Sequence, residues 1–209
     1  FSRLKSKVSG DIYYAMAPGN YSNVVAGLYS WKIAMPVSGF ILPATDDLTV
    51  DSAGQCAMLD SLIPINERER SNPSSPSNIE RLEEIFSANP IMMRNLVFTA
   101  KISEQDIVAA AKELFVKYHV FADRSTASAY AAALKKRDMV EEDDGTLVLL
   151  MRDHPALDSD FIRRCVGEVP EMPENVRLSI APVEIKRPKV KECNEILEIL
   201  QKVYDSFDL

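Results

Sequence analysis

Ile12-Tyr13-Tyr14-Ala15-Met16-Ala17, Pro18-Gly19-Asn20-Tyr21-Ser22-Asn23 and Val24-Val25-Ala26-Gly27-Leu28 form the continuous stretch that decides the fold. Its first six residues are a short apolar run bounded by turn formers, the pattern of a buried strand. Pro18-Gly19-Asn20 breaks that run. From Asn23 onward Val24, Val25, Leu28, Trp31 and Ile33, with interleaved Ala and Gly, suit a helix that packs closely on a sheet and ends before Pro36. A second strand is predicted over 37–42. Strand, turn, helix, strand is the building unit of a doubly wound sheet, so the expected fold class is α/β, with a mostly parallel sheet and helices on both faces.

The same stretch holds the one constellation with a chemical rationale. The first amides of a helix lack intrahelical acceptors and together carry roughly half a unit of positive charge, so small residues at that point let an anion approach. Phosphate is the natural guest. Read locally, a simpler account is preferred: Gly19 makes a tight turn and Ser22 or Asn23 caps the helix.

Outward from this point, the composition is that of an ordinary globular protein, with 209 residues, 46% hydrophobic and 26% charged. A net charge of −7 gives no broad positive field, which argues against nucleic acid as a partner. Cys56, Cys165 and Cys193 form no Cys-x-x-Cys pair and read as reduced thiols of a cytoplasmic protein. His119 and His154 are too few and too isolated for a metal cage, so no metal site is expected. No apolar run approaches the roughly 20 residues of a membrane span, and no secretory leader pattern opens the chain, so membrane insertion and export are not expected. The chain begins at Phe1, close to its first strand, and reads as cut from something longer.

Residues 45–75, rich in Asp, Ser, Asn and Pro, are expected to be an irregular insertion. A helix with a capping box is predicted at Ser77 and Glu80, burying Ile79, Leu82, Ile85 and Phe86. Further helices are predicted from Ser103, with Ile107, Ala110, Ala111, Leu114, Phe115 and Tyr118 at helical spacing, and from Ser125 to about Arg137. An acidic turn over 141–145 precedes Thr146-Leu147-Val148-Leu149-Leu150-Met151, expected as a strand buried on both faces. A helix near Asp158 follows. The domain plan is one α/β domain over 1–181, then a linker and an amphipathic C-terminal helix over 182–209, where Val190, Cys193, Ile196, Leu197, Leu200, Val203 and Phe207 repeat at three and four. That helix could dock on this unit or on a partner chain, and a homodimer is possible.

Gly19-Asn20-Tyr21-Ser22-Asn23 followed by Ala26-Gly27-Leu28, Met35-Pro36 and a strand ending Pro43-Ala44-Thr45 closely resembles the threonine synthases, pyridoxal-phosphate enzymes of fold type II. Their stretch runs Gly-Asn-Phe-Gly-Asn/Asp, Ala-Gly-Leu, Leu-Pro, Ala-Ala-Thr. The segment around Pro76-Ser77-Asn78, the helix Ala127-Ser128-Ala129-Tyr130 and the motif His154-Pro155-Ala156 are similar to later family landmarks, in the same order over roughly 14–174. The resemblance implies the C-terminal portion of such a protein. It implies pyridoxal 5'-phosphate as cofactor, with its phosphate on the backbone of Gly19, Asn20, Tyr21, Ser22 and Asn23 and with Arg152 beside its ring. Arg124, Ser125 and Thr126 are then candidate substrate-side donors. The implied reaction converts O-phosphohomoserine and water to threonine and phosphate.

The departures bear on that chemistry. Ser22 stands where the family loop usually has a second glycine, and restricts the backbone if φ must be positive. Met151-Arg152-Asp153-His154-Pro155 replaces Gly-Thr-Ala-His-Pro, putting a permanent cation where the family has a threonine near the pyridine nitrogen. Arg124-Ser125 replaces Pro-His, and His154 reads as a turn histidine before it reads as a catalytic one. The lysine that holds the cofactor aldehyde lies in a Phe-Lys-Asp context in the family, and no lysine here has it, so no catalytic residue is assigned to this chain. The missing N-terminal half is therefore an expected partner. The alternative is a catalytically degenerate member that binds a phosphate ligand or another protein.

Overall fold

The computed structural model describes residues 8, 10–58, 78–86, 90–182 and 192–205. The chain divides into two units, 1–172 and 173–209, a boundary earlier than the one drawn at 181 from the sequence.

The first unit is built on strands β1 (Ile12–Ala15), β2 (Gly39–Pro43), β3 (Leu48–Val50), β4 (Cys56–Met58), β5 (Val97–Ala100) and β6 (Thr146–Leu149). Its helices are α1 (Ser22–Lys32), α2 (Ile79–Phe86), α3 (Pro90–Leu96), α4 (Glu104–Tyr118), α5 (Arg124–Lys135), α6 (Arg137–Glu142) and α7 (Ser159–Val166), the last entered through a 3-10 turn at Pro155–Asp158. The main sheet has the order β5-β2-β1-β6 and every neighbouring pair is parallel. The α/β fold expected from the sequence is the one observed.

Alternate side chains of β1 go to opposite faces, as the two-residue period of a strand demands. Ile12, Tyr14 and Met16 join Val24, Val25 and Leu28 of α1 in one core, where Leu82 and Ile85 of α2 also pack. Tyr13 and Ala15 join Ile41, Ala100 and the α5 residues Ala132 and Ala133 in the other. The alanines of α5 bring its axis close to the sheet, and its far side packs on α4 and α7 through Ala127, Tyr130, Ile107, Leu114, Phe161 and Ile162. Helices thus cover both faces.

Strand order explains where a ligand would sit. From β1 the chain steps through β2 to β5 and then returns to β6, on the other side of β1. The carboxyl ends of β1 and β6 therefore flank a topological switch point, the crevice that open α/β sheets use for binding.

Several expectations need correction. Residues 45–75 are not wholly irregular, because β3 and β4 pair antiparallel as a small hairpin within them. Both strands are only three residues long and the polar residues between them hid the pairing. Strand β5 lay unmarked between two helices, since Val97-Phe98-Thr99-Ala100 is as short as a helix end and follows α3 directly. Strand β6 is half-buried along its length rather than enclosed, because among the described residues it pairs on one side only, with β1. Helix α5 starts one residue before Ser125: Asp123, not Ser125, is its cap, accepting from the amides of Ser125 (3.0 Å) and Thr126 (3.4 Å). The segment expected as an acidic turn is partly helical, as α6. The capping box of Ser103 in α4 forms with Asp106, whose carboxylate accepts from the Ser103 amide (2.8 Å). The box expected at Ser77 and Glu80 lies outside the described residues.

The second unit contains α8 (Glu174–Ile180) and α9 (Cys193–Asp205), joined across the proline-bearing linker. The amphipathic C-terminal helix is present as α9, and Ile196, Leu197, Leu200 and Val203 are exposed.

Gly39 is closely packed in the first unit. A Cβ there would lie 2.5 Å from the ring of Phe98 and 3.0 Å from that of Tyr13. Gly39→Ala should lower stability by about 1–3 kcal/mol, the usual cost of overpacking. Urea unfolding checks this, and Phe98→Leu in the same chain should recover part of the loss.

Candidate functional site

The β1 chain leaves the sheet at Met16 and turns at Pro18, where the Tyr21 amide donates to the Pro18 carbonyl (2.7 Å). Gly19 (φ 52°) and Tyr21 (φ 60°) both occupy the left-handed region. Gly19 does so at little cost; Tyr21 is a non-glycine residue held there by its surroundings. Its ring is 1% exposed and its hydroxyl is hydrogen-bonded to Thr45 Oγ1 (2.6 Å) and donates to Asp47 Oδ2 (3.3 Å). Burial pushes the Tyr21 phenol up to about 12, with the Asp47 charge adding to the shift and the Thr45 hydrogen bond opposing it.

Helix α1 therefore begins without a side-chain cap of the ordinary kind. Tyr21 is the residue in the cap position and offers only its carbonyl, to the Val25 amide (2.9 Å). The expected capping by Ser22 or Asn23 is not what forms. Instead the Ser22 amide donates to Asn20 Oδ1 (3.2 Å), and the amides of Asn23 and Val24 have no acceptor among the described residues. From the opposite side, the Asn20 carbonyl accepts from Asn78 Nδ2 (2.7 Å), and Asn78 Oδ1 accepts from Arg81. The loop is pinned at both ends.

Arg152, from the loop after β6, reaches the same turn. A Cβ on Gly19 would stand 2.7 Å from Arg152 Nη1, so the guanidinium rests on the bare backbone of that glycine. The Arg152 amide donates to Thr126 Oγ1 (3.5 Å), and Thr126 Oγ1 donates to Asp123. Gly19, Asn20, Tyr21, Ser22, Asn23 and Arg152 are thus brought together, and Thr126 supports them from below. Arg124 and Ser125 are not brought in. The Arg124 guanidinium pairs with Glu104 and lies over the Phe161 ring at 5.7 Å, clamping α5 to α4 and α7, while the Ser125 amide is used by the Asp123 cap. His154 caps the 3-10 turn, accepting from the Ala156 amide at Nδ1 (3.2 Å), the turn role its sequence context suggests. Among the described residues no group of His, Cys, Asp and Glu could hold a metal ion. No helix among them is long and apolar enough to cross a membrane.

Reading the sequence missed Asn78 and the pair Thr45 and Asp47 as parts of this site. Asn78 stands in the recognisable Pro76-Ser77-Asn78 segment, but nothing local ties it to a carbonyl 58 positions earlier.

No family model and no curated protein matches the sequence. Solved structures do match by fold. Threonine synthase from Escherichia coli superposes with a TM-score of 0.59 at 19% identity, over 84% of this chain and 40% of that one. A structure of PLP-bound threonine synthase from Brucella melitensis gives 0.59 at 15% identity, over 83% and 42%. Threonine synthase from yeast gives 0.54 at 13%, over 94% and 48%. The chain spans less than half the length of these structures. At such identities the likeness establishes the fold.

The Tyr21 hydroxyl gives a test of how the loop is held. Tyr21→Phe should cost about 1 kcal/mol at neutral pH, the net worth of a buried hydrogen bond. The raised phenol stabilises the fold below the unfolded tyrosine value near 10, and that stabilisation is lost as pH rises through about 12. The stability difference between the native chain and Tyr21→Phe should therefore shrink from pH 10 toward 12, as followed by urea unfolding across that range.

Proposed function

We propose that this chain is the C-terminal portion of a pyridoxal-phosphate-dependent enzyme of fold type II, of the threonine synthase kind, and that the loop after β1 holds the cofactor phosphate. The observation that carries the reading is the switch-point arrangement itself: the bare backbone of Gly19 with the Arg152 cation resting against it, and the Asn23 and Val24 amides at the start of α1, which have no acceptor among the described residues. These groups fit a phosphate. Each is a donor or a positive charge, and the carboxylate paired with Arg152, that of Asp153 at 3.4 Å from Nε, is about half exposed. The fold neighbours, one of them described as PLP-bound, support the cofactor assignment.

Within this portion the residues bind and orient rather than carry out bond changes. The α1 amides and the Ser22 hydroxyl would donate to the phosphate at the start of the helix, Tyr21 fixes the turn through Thr45 and Asp47, and Asn78 engages the Asn20 carbonyl. The cofactor, when bound, supplies an electron sink for charge that develops on an amino-acid substrate. In the complete protein the reaction would convert O-phosphohomoserine and water to threonine and phosphate, with the aldehyde-holding lysine supplied from outside this chain. The surroundings expected are those of a soluble cytoplasmic enzyme.

Thermal shift with matched ligands tests the binding half of this reading. Pyridoxal 5'-phosphate at saturating concentration should raise the melting temperature of the chain, whereas pyridoxal without phosphate should not. Gly19→Ala should abolish the shift, because it strains a left-handed position and drives a methyl group into Arg152. Equal shifts with pyridoxal and its phosphate would remove the phosphate cradle from the proposal. Release of phosphate from O-phosphohomoserine by a longer reading frame containing a Phe-Lys-Asp segment tests the reaction.

A further inference from the structure

Building on the proposed phosphate site, we infer that Arg152 holds the phosphate of the ligand, not its ring, so that this cradle is a charged clamp selective for phosphate monoesters. The position of the guanidinium leads to this assignment. Nη1 faces the backbone of Gly19, at the loop that would carry the phosphate, and the Arg152 backbone is anchored below through Thr126. Among the described residues neither terminal guanidinium nitrogen donates to an acceptor. Its charged neighbour is Asp153, 3.4 Å from Nε, and both side chains of that pair are about half exposed. Such a pair is worth little and leaves the fork free for a stronger anion.

Charge arithmetic agrees. A phosphate monoester carries about −1.5 to −2 at neutral pH. The start of a helix offers roughly half a unit of positive charge, and here the Tyr21 and Ser22 amides are already engaged by the loop. A whole positive charge from Arg152 makes up most of the difference, and a planar guanidinium suits paired phosphate oxygens better than a point charge does. Arg152 thereby compensates for amides that this loop spends on its own turn. A ring carried on that phosphate should contribute less to affinity than the phosphate does.

Pyridoxamine 5'-phosphate is the suitable probe, since it has no aldehyde to condense with any lysine. Its own fluorescence reports binding to the 209-residue chain, with unphosphorylated pyridoxamine and inorganic phosphate as companion ligands. The native chain should bind the ester far more tightly than pyridoxamine, and inorganic phosphate should compete. Arg152→Thr should weaken the ester at least about tenfold, the loss expected for a charged hydrogen bond. Arg152→Lys should retain part of the affinity. Binding to the native chain should weaken with salt and as pH falls through about 6, where the ester gains a proton; in Arg152→Thr both dependences should flatten. Melting curves establish that each variant is folded, and Arg152→Gln replaces the threonine variant if that one is not. Unchanged or tighter ester binding in the variant would overturn the inference and show that Arg152 fills the cradle, leaving the phosphate site itself intact. An equal loss for pyridoxamine and its phosphate would assign Arg152 to the ring. Absence of ester binding in the native chain and the variants alike would remove both the clamp and the proposed cofactor site.

Discussion

Everything at the switch point depends on a short left-handed turn that carries the chain from the middle of the sheet into a helix. Tyr21 would not adopt φ 60° by preference, and an ordinary serine or asparagine cap would engage the first α1 amides, two of which have no acceptor among the described residues. The turn persists because the Tyr21 ring is buried and its hydroxyl is tied to the strand-end loop at Thr45 and Asp47. Packing and hydrogen bonding that belong to the core thus determine the direction of a few backbone N–H bonds at the surface. Local strain is retained where it orients a donor set.

The sheet supplies the second half of the geometry. Because β6 returns to the side of β1 opposite β2, the loop bearing Arg152 arrives next to the loop bearing Gly19, although the two residues are far apart in the chain. Neither loop forms the site alone. Helix α5, which fits against the sheet through Ala132 and Ala133, sets the height of the Arg152 loop through Thr126.

Legibility in the sequence followed the range of the forces involved. Strand β1, the turn, α1 and β2 were readable because an apolar run, a Pro-Gly-Asn break and a helical repeat each act over a few residues. The Ser103 helix was readable for the same reason. Strand β5 and the β3–β4 hairpin were not, since strands of three or four residues acquire their identity from partners distant in sequence. The half-burial of β6 depends on what lies beside it, a property of assembly that its apolar residues cannot report. At the site, the loop residues and Arg152 stood out as motif positions, whereas Asn78, Thr45 and Asp47 act through single long-range hydrogen bonds that leave no pattern. Arg124 drew notice by occupying a motif position, and in the structure its guanidinium pairs with Glu104 on α4.

Asp123 connects two tasks usually kept apart. Its carboxylate caps the start of α5 and also receives the Thr126 hydroxyl, whose oxygen in turn receives the Arg152 amide. One buried acid therefore serves as the keel of a helix and as the mooring of the cation that borders the crevice. Wear at this inner position would reach the rim indirectly, through a shift in the seat of Arg152, while the rim residues themselves stayed unaltered.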